Sequence, residues 1–213
     1  MKLAPYIDHT NLKPDATVED IKQLCEEAIL YGFKAVCVNG CHIPLTVDIL
    51  GATNVKIATV IGFPLGAMST TTKVFEAKDA IAKGVDEVDM VLNIGWLKSG
   101  MDVQVKEEIA QVKSVIGDKV LKVILETCYL TDDEKEHASR LSVAAGADFI
   151  KTSTGFGSGG ATFIDVQLMK TVVGDKAQIK ASGGIRDRET ALKYIELGVT
   201  RIGTSSGPKL VGN

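Results

Sequence analysis

The sequence has few cysteines, and their spacing fits neither a disulfide framework nor a zinc knuckle. The four in 213 residues are Cys25, Cys37, Cys41 and Cys128, which we expect to be reduced thiols. Cys37, Cys41 and His42 in CVNGCH suggest a metal site only weakly, because no fourth partner lies nearby. An ordinary structural role for these three residues is favoured several to one.

The chain also lacks a positive charge excess and a long apolar run. Its 24 basic and 27 acidic residues give a net charge of −3, and no basic stripe indicates binding to nucleic acid or to a membrane surface. No apolar stretch approaches the roughly 18 residues of a membrane helix. The apolar run in MKLAPYIDHT is too short for a signal peptide. We expect a cytoplasmic protein with a small-molecule partner.

A glycine-rich GxGxxG turn after the first strand is missing too, so a dinucleotide site has no support. What the chain does contain is a regular alternation of strand and helix patterns. The expected strands are PYIDH, KAVCVN, VKIATVIGF, DEVDMVLN, VLKVILET, DFIKTST, AQIKASG and TRIGTS. The expected helices are DATVEDIKQLCEEAILYG, 44–50, TTTKVFEAKDAIAKG, 102–116, 132–145, 163–173 and 187–197.

Eight strand–helix units in about this length predict an α/β fold, a (β/α)8 TIM barrel that forms a single domain over residues 1–213. Several strands are continuous β-branched runs, as expected for parallel strands that are covered on both faces. A doubly wound open sheet is the alternative. In a barrel, the catalytic groups belong at the carboxyl ends of the strands.

Three predicted strands contain a lysine in an apolar context, namely Lys122, Lys151 and Lys180. Burial of an ammonium is costly unless it is paired or loses its proton. If Lys151 and Lys180 both face the lumen, one amine has a lowered pKa and can form a Schiff base with a carbonyl. A strand lysine more often extends outward to the rim, and this alternative stays open for Lys122.

Two carboxylates also interrupt strands, Asp89 in DEVDMVLN and Asp8 in YIDHT. Beside two lumen lysines, such groups are either proton shuttles or purely structural ion-pair partners. The last two strand ends, ASGGIR and GTSSG, carry small residues whose N–H groups can approach an anion closely. Barrels build phosphate sites from these loops, so we favour phosphate over ordinary tight turns, with Ser205, Ser206 and Arg186 nearby.

These motifs closely resemble those of the bacterial 2-deoxyribose-5-phosphate aldolases, which are class I aldolases on a (β/α)8 barrel. The resemblance covers the whole chain, and KTSTGF followed by KASGGI is highly specific. The motifs that carry it are IDHT, VCVN, GFPLG, EVDMVLN, KVILET, FIKTSTGF, IKASGGIR and RIGTSS.

The resemblance implies cleavage of 2-deoxyribose 5-phosphate to acetaldehyde and glyceraldehyde 3-phosphate without metal or cofactor. It implies that Lys151 forms the Schiff base, Lys180 lowers the pKa of Lys151, Asp89 moves protons with Lys180, Asp8 supports this relay and Lys122 helps to place the carbinolamine. It assigns the phosphate to Thr154, Gly155, Gly183, Gly184, Ser205 and Ser206. Cys37 corresponds to a cysteine that aldehyde products can attack.

Some family members carry a longer tail whose terminal tyrosine assists proton exchange, whereas this sequence ends at PKLVGN. Either Asp89, Lys180 and water suffice for that exchange, or it is slower. The family is often dimeric, so we expect a homodimer. Two rival functions use the same pattern: another Schiff-base lyase, such as a transaldolase-like enzyme or a keto-sugar-acid lyase, and a non-catalytic phosphosugar sensor.

Overall fold

Eight parallel strands close into a barrel in which each strand pairs with its neighbours in chain order and β8 pairs with β1. The computed structural model describes residues 1–212, so the predicted domain boundary at residue 213 lies outside the described residues. The closed barrel confirms the predicted fold and rules out the open sheet. The strands are β1 (Ile7–Asn11), β2 (Ala35–Val38), β3 (Lys56–Ile61), β4 (Glu87–Val91), β5 (Val120–Ile124), β6 (Phe149–Lys151), β7 (Gln178–Ser182) and β8 (Arg201–Thr204).

Nine helices are present in residues 1–212, and most of them start at a side chain that caps the first turn. Thr17 and Thr131 each form a reciprocal capping box, and Asn93 accepts the N–H of Trp96. Such caps satisfy N–H groups that have no partner within the helix. The helices are α1 (Val18–Tyr31), α2 (Ile43–Leu50), α3 (Thr70–Ala82), α4 (Ile94–Lys98), α5 (Asp102–Ile116), α6 (Asp132–Ala144), α7 (Phe163–Val173), α8 (Arg188–Glu196) and α9 (Gly207–Val211).

The predicted elements agree with these bounds to within three residues at each end, but several short helices were not predicted. The start of PYIDH is a short 3-10 helix, Ala4–Tyr6, which begins with a proline in its first turn and precedes β1. Two short helices, α4 and α9, were not predicted, because five residues carry too little periodicity to identify a helix. Each of these differences lies at a strand end and leaves the barrel order unchanged.

The apolar core lies between the strands and the surrounding helices, where residues such as Ile150, Ile179 and Ile202 are completely buried. Full burial of such a side chain contributes about 1.5–3 kcal/mol. The alternate residues of the strands face the lumen, which contains charged side chains. The helices thus stabilise the barrel from outside, and this leaves the lumen free to carry chemistry. No helix within residues 1–212 has the length and apolar character needed to cross a membrane.

Candidate active site

The register of the barrel brings the predicted lysines and carboxylates together in the lumen. Lys151 on β6 is the direct partner of Lys180 on β7, and Asp89 on β4 is the partner of Lys122 on β5. The prediction that Lys151 and Lys180 lie side by side on neighbouring strands is confirmed. We call the group formed by Asp8, Glu87, Asp89, Lys122, Lys151, Lys180 and Arg201 the lumen cluster.

Asp89 lies at the centre of the lumen cluster and contacts all three lysines. Its Oδ1 lies 2.6 Å from Nζ of Lys122, and its Oδ2 lies 2.8 Å from Nζ of Lys151 and 2.9 Å from Nζ of Lys180. All four side chains are buried. The alternative in which Lys122 extends outward to the rim is therefore wrong. A buried carboxylate offers this ammonium a partner that compensates for its lost hydration.

Asp8 extends the lumen cluster to β1 and β8. Its Oδ2 accepts a hydrogen bond from Nζ of Lys180 at 2.5 Å, and its Oδ1 accepts one from Arg201. Arg201 also donates to Glu87, whose Oε2 lies 2.6 Å from Nζ of Lys122. These contacts link the two lysines through a continuous chain of ion pairs around the lumen.

Glu87 and Arg201 are the two members of the lumen cluster that the sequence motifs do not predict. Glu87 did leave a signal, because it precedes Asp89 by two residues and therefore points to the same face of β4. Arg201 lies at the start of β8, and the sequence is equally compatible with a side chain that points outward from the barrel. Only the pairing of β8 with β1 brings Arg201 to Asp8.

Among the three lysines of the lumen cluster, Lys151 is the one whose pKa is lowered. Burial is the largest cause, because it disfavours the ammonium form, and the neighbouring Lys180 cation lowers this pKa further against the opposing effect of Asp89. Burial acts on Lys180 in the same direction, but Asp8 and Asp89 outweigh it and raise the pKa of Lys180 above its ordinary value. Two lysines on adjacent strands thus have opposite pKa shifts.

Three further groups of the lumen cluster, Asp8, Asp89 and Lys122, have pKa values shifted toward their charged forms. Burial acts to raise the pKa of Asp8, but Lys180 and Arg201 outweigh it and lower that pKa to about 2. The pKa of Asp89 lies well below its ordinary value, because the three lysines together outweigh burial. Asp89 in turn raises the pKa of Lys122, against the opposing effect of burial.

The charges of the lumen cluster do not balance if every group is ionised. Four cations, Lys122, Lys151, Lys180 and Arg201, face three carboxylates, Asp8, Glu87 and Asp89. An uncompensated charge is unfavourable in a buried site, so the loss of one proton brings the group to neutrality. Among the three lysines, Lys151 has the lowered pKa and lines a cavity.

This cavity has a volume of about 520 Å³ and lies at the carboxyl ends of β1, β6, β7 and β8. A cavity of this size accommodates a small phosphorylated sugar. Most of the predicted phosphate residues contribute to its lining, and Arg186 does too. Ser206 is not among the lining residues, and its N–H donates to Oγ1 of Thr204 at 2.9 Å. The lining residues that match the prediction are Thr154, Gly155, Gly183, Gly184 and Ser205.

Gly183 illustrates why the loops that are predicted to bind phosphate are glycine-rich. Its φ is +90°, and a Cβ there would lie 2.9 Å from Cα of Gly160. A side chain at this position would therefore both strain the backbone and clash with the loop after β6. The lack of side chains exposes backbone N–H groups, which are suited to bind an anion.

Cys37 is buried on β2 and packs against Leu12, Ala58 and Val60. Burial raises its pKa, and Asp89 raises it further against the opposing effects of Lys180 and Lys151. The protonated thiol is the less reactive form. Cys41, by contrast, is exposed. Attack on Cys37 by an aldehyde stays a prediction.

Comparison with known proteins identifies the family of this chain. The model of the DeoC/LacD family aldolases matches residues 2–207. The chain belongs to this family. It is therefore an aldolase, an enzyme of the lyase class.

Relatives within this family are similar over nearly the whole chain. The deoxyribose-phosphate aldolase of Finegoldia magna is 57% identical over 211 residues, which cover 99% of this chain and 99% of the relative. The deoxyribose-phosphate aldolase of Thermococcus kodakarensis is 58% identical over 214 residues, which cover 99% of this chain and 96% of the relative. The tetrameric structure of deoxyribose phosphate aldolase from Aeropyrum pernix is 34% identical, with a TM-score of 0.89, and covers 98% of this chain and 89% of that chain.

Proposed function

We propose that this aldolase reversibly cleaves 2-deoxy-D-ribose 5-phosphate to acetaldehyde and D-glyceraldehyde 3-phosphate through a Schiff base on Lys151, a step in deoxyribonucleoside catabolism. The names of its relatives support the substrate. The observation that carries the mechanism is the charge excess of the lumen cluster, which a neutral Lys151 removes. A neutral amine at the floor of a sugar-sized cavity is a nucleophile for a carbonyl carbon.

The reaction begins when Nζ of Lys151 attacks the aldehyde carbon of the open-chain sugar. Loss of water from the resulting carbinolamine leaves an iminium. A proton then leaves the hydroxyl group on the third carbon, and the bond between the second and third carbons breaks as its electrons flow into the iminium. Glyceraldehyde 3-phosphate departs. Protonation of the enamine and hydrolysis release acetaldehyde and restore Lys151.

Asp89 and Lys180 are the groups that move protons in this proposal. Oδ2 of Asp89 lies within 2.9 Å of both Lys151 and Lys180, so a proton passes between them over short hydrogen bonds. Asp8 holds Lys180 from the other side. Lys122 contacts the opposite oxygen of Asp89, and its predicted role near the carbinolamine stays a prediction.

The phosphate end of the substrate is proposed to bind at the loops after β6, β7 and β8. The N–H groups around Gly155, Gly183 and Gly184, together with Ser205, lie at the wall of the cavity that Lys151 also lines. Binding energy from this remote group positions the reacting carbon at Lys151. Because the iminium itself accepts the electrons of the broken bond, the proposed chemistry needs no cofactor.

The experiment that tests this function is a substrate panel with the purified enzyme. We expect aldehyde release from 2-deoxyribose 5-phosphate, insensitivity to a chelator, and the reverse addition of acetaldehyde to glyceraldehyde 3-phosphate. Preference for a ketose phosphate or a keto-sugar acid would instead favour another Schiff-base lyase. Binding of the sugar phosphate without turnover would indicate a sensor. A homodimer and a cytoplasmic location stay predictions.

A further inference from the structure

Glu126 has an unusual backbone conformation just beyond the end of β5. Its φ of +57° makes it the one non-glycine residue with a positive φ in residues 1–212. The left-handed region costs an ordinary residue roughly 1–2 kcal/mol, so its surroundings must enforce it. Glu126 is also 2% exposed, although it is a carboxylate outside the lumen cluster. Both the positive φ and the burial of Glu126 need a physical explanation.

Just beyond the ends of both strands, the hydrogen bonds around Glu126 show one extra residue on the segment that follows β5, relative to the segment that follows β6. The N–H of Leu125 donates to the carbonyl of Lys151, and the N–H of Thr127 donates to the carbonyl of Thr152. Two residues on one strand thus advance against a single residue on the other, which is a bulge. Bulges redirect a side chain and are frequent beside active sites. Here the bulge gives Glu126 its conformation immediately beside Lys151.

The redirected carboxylate binds both hydrogen-bond donors of Thr154. Oε1 of Glu126 accepts the N–H of Thr154 at 3.2 Å, and Oε2 accepts its hydroxyl. Oγ1 of Thr154 in turn accepts the N–H of Phe156 at 3.0 Å. Both donors of Thr154 therefore bind Glu126 and do not point to a ligand in the cavity. Thr154 instead shapes the turn at residues 154–156.

The loop that follows is packed closely onto Glu126 and then tied to the end of β7. A Cβ at Gly157 would lie 3.1 Å from Cδ of Glu126. At the other end, the N–H of Ala161 donates to the carbonyls of Ser182 and Gly183, both at 3.1 Å. The loop at residues 154–161 therefore has two attachments, and Glu126 supplies the first of them.

We infer that Glu126 is a positioning residue for the substrate phosphate: through Thr154 it holds the turn whose residues Thr154, Gly155 and Phe156 line the cavity. Glu126 itself is not among the cavity-lining residues, so it acts on the substrate only through this turn. The inference rests on the proposed function for its substrate, but the phosphate site that it concerns can be measured without turnover.

The decisive variant is Glu126→Gly, because glycine adopts the same φ without strain while the whole side chain, including the carboxylate that binds Thr154, is removed. We expect kcat/KM for 2-deoxyribose 5-phosphate to fall at least about tenfold, because both charge-assisted hydrogen bonds that hold the turn are lost. The value for unphosphorylated 2-deoxyribose is expected not to change. In calorimetric titration with inorganic phosphate, the Kd of the variant should be larger than that of the wild type by a similar factor. Equal losses with both sugars, or an unchanged phosphate Kd, would overturn the inference.

Two further variants keep the test decisive. If Glu126→Gly does not fold, Thr154→Val removes the hydroxyl partner alone and should cause the same selective loss; an unchanged Kd there overturns the inference. Asp148→Asn is the matched control, since Asp148 accepts the N–H of Leu121 at 2.8 Å at the opposite end of β5. We expect it to leave phosphate binding intact. If the wild type binds phosphate but does not cleave the sugar, the proposed function fails while the titration still tests Glu126.

Discussion

Within residues 1–212, two regions contain a completely buried lysine paired with a carboxylate, and we propose a catalytic role for only one of them. Outside the barrel, Nζ of Lys73 on α3 lies 2.7 Å from Oε2 of Glu108 on α5, and both side chains are completely buried. In this isolated pair, burial lowers the pKa of Lys73 and raises that of Glu108. One lysine faces one carboxylate, so the net charge of the pair is zero whether the proton lies on Lys73 or on Glu108.

The lumen cluster differs in two respects from the Lys73–Glu108 pair. It contains one more cation than carboxylates, and one of its lysines, Lys151, lines a cavity. The pKa of Lys73 is lowered as well, so a lowered pKa alone does not identify a nucleophile. We infer that charge excess and access to the cavity, rather than burial, distinguish the lysine that we propose to be reactive.

The largest expected effect comes from Lys151→Leu, which removes the nucleophile. We expect cleavage of 2-deoxyribose 5-phosphate to fall by at least about a thousandfold. The folded state should persist, because three cations then face three carboxylates in the lumen. Steady-state kinetics and circular dichroism check these expectations together. Substantial residual turnover in a folded variant would remove Lys151 from the mechanism.

Lys73→Met tests the other side of the comparison. It leaves Glu108 buried without its partner, which should lower the free energy of unfolding by about 3–5 kcal/mol. The double variant Lys73→Met with Glu108→Leu should recover most of that loss. In both, kcat of the folded enzyme is expected to stay at the wild-type value. Denaturant titration measures the free energy of unfolding, and steady-state kinetics measures kcat. A large decrease of kcat in the double variant would contradict the separation of the two regions.

Lys180→Met removes the cation that lowers the pKa of Lys151. The pKa of Lys151 should then rise, so the alkaline pH range in which its amine is neutral moves upward. We expect a rate loss of about a hundredfold, in the range of general acid–base contributions, and a shift of the acidic limb of the kcat/KM profile to higher pH. An unchanged pH profile would show that Lys180 does not tune Lys151.

Asp8 links the lumen cluster to acid stability. Its pKa is lowered to about 2 from 3.8, so its ionised form stabilises the fold by about 2 kcal/mol. This contribution is complete above pH 3.8 and disappears as the pH falls through about 2. The stability difference between the wild type and Asp8→Asn should therefore shrink over that range. Unfolding titrations between pH 5 and pH 2 measure it; a constant difference would contradict the assignment.

The smallest effect is expected at the exposed pair of Lys83 and Asp79, whose Nζ and Oδ2 lie 2.6 Å apart. Despite this short distance, both side chains are well hydrated. Asp79→Asn should therefore change the free energy of unfolding by less than about 1 kcal/mol. A loss as large as that of Lys73→Met would mean that pairing, rather than burial, sets the cost of breaking a lysine–carboxylate contact.

Much of this arrangement could be predicted from local patterns in the sequence. Alternation of strands and helices predicts the barrel, and the position of Lys151 and Lys180 before glycine-rich turns places both at strand ends. The choice between an inward and an outward Lys122 could not be made, because the period of a strand allows either face. The register that pairs Lys122 with Asp89 decides it.

The contacts that escape prediction are those between distant segments. Arg201 reaches Asp8 and Glu87, which lie more than a hundred residues away in the sequence. Glu126 appears in the sequence as the end of an ordinary strand, KVILET. Its conformation follows from the bulge opposite the end of β6 and from its hydrogen bonds with Thr154. No local sequence pattern encodes either of these.

The central claim is that Lys151 is the neutral, reactive amine of the lumen cluster. The most direct test is borohydride reduction in the presence of acetaldehyde, followed by mass spectrometry of the intact chain and its peptides. We predict a single ethyl-sized adduct on Lys151 that is absent in Lys151→Leu. An adduct on Lys180, or no adduct in a folded enzyme that binds the sugar phosphate, would contradict it.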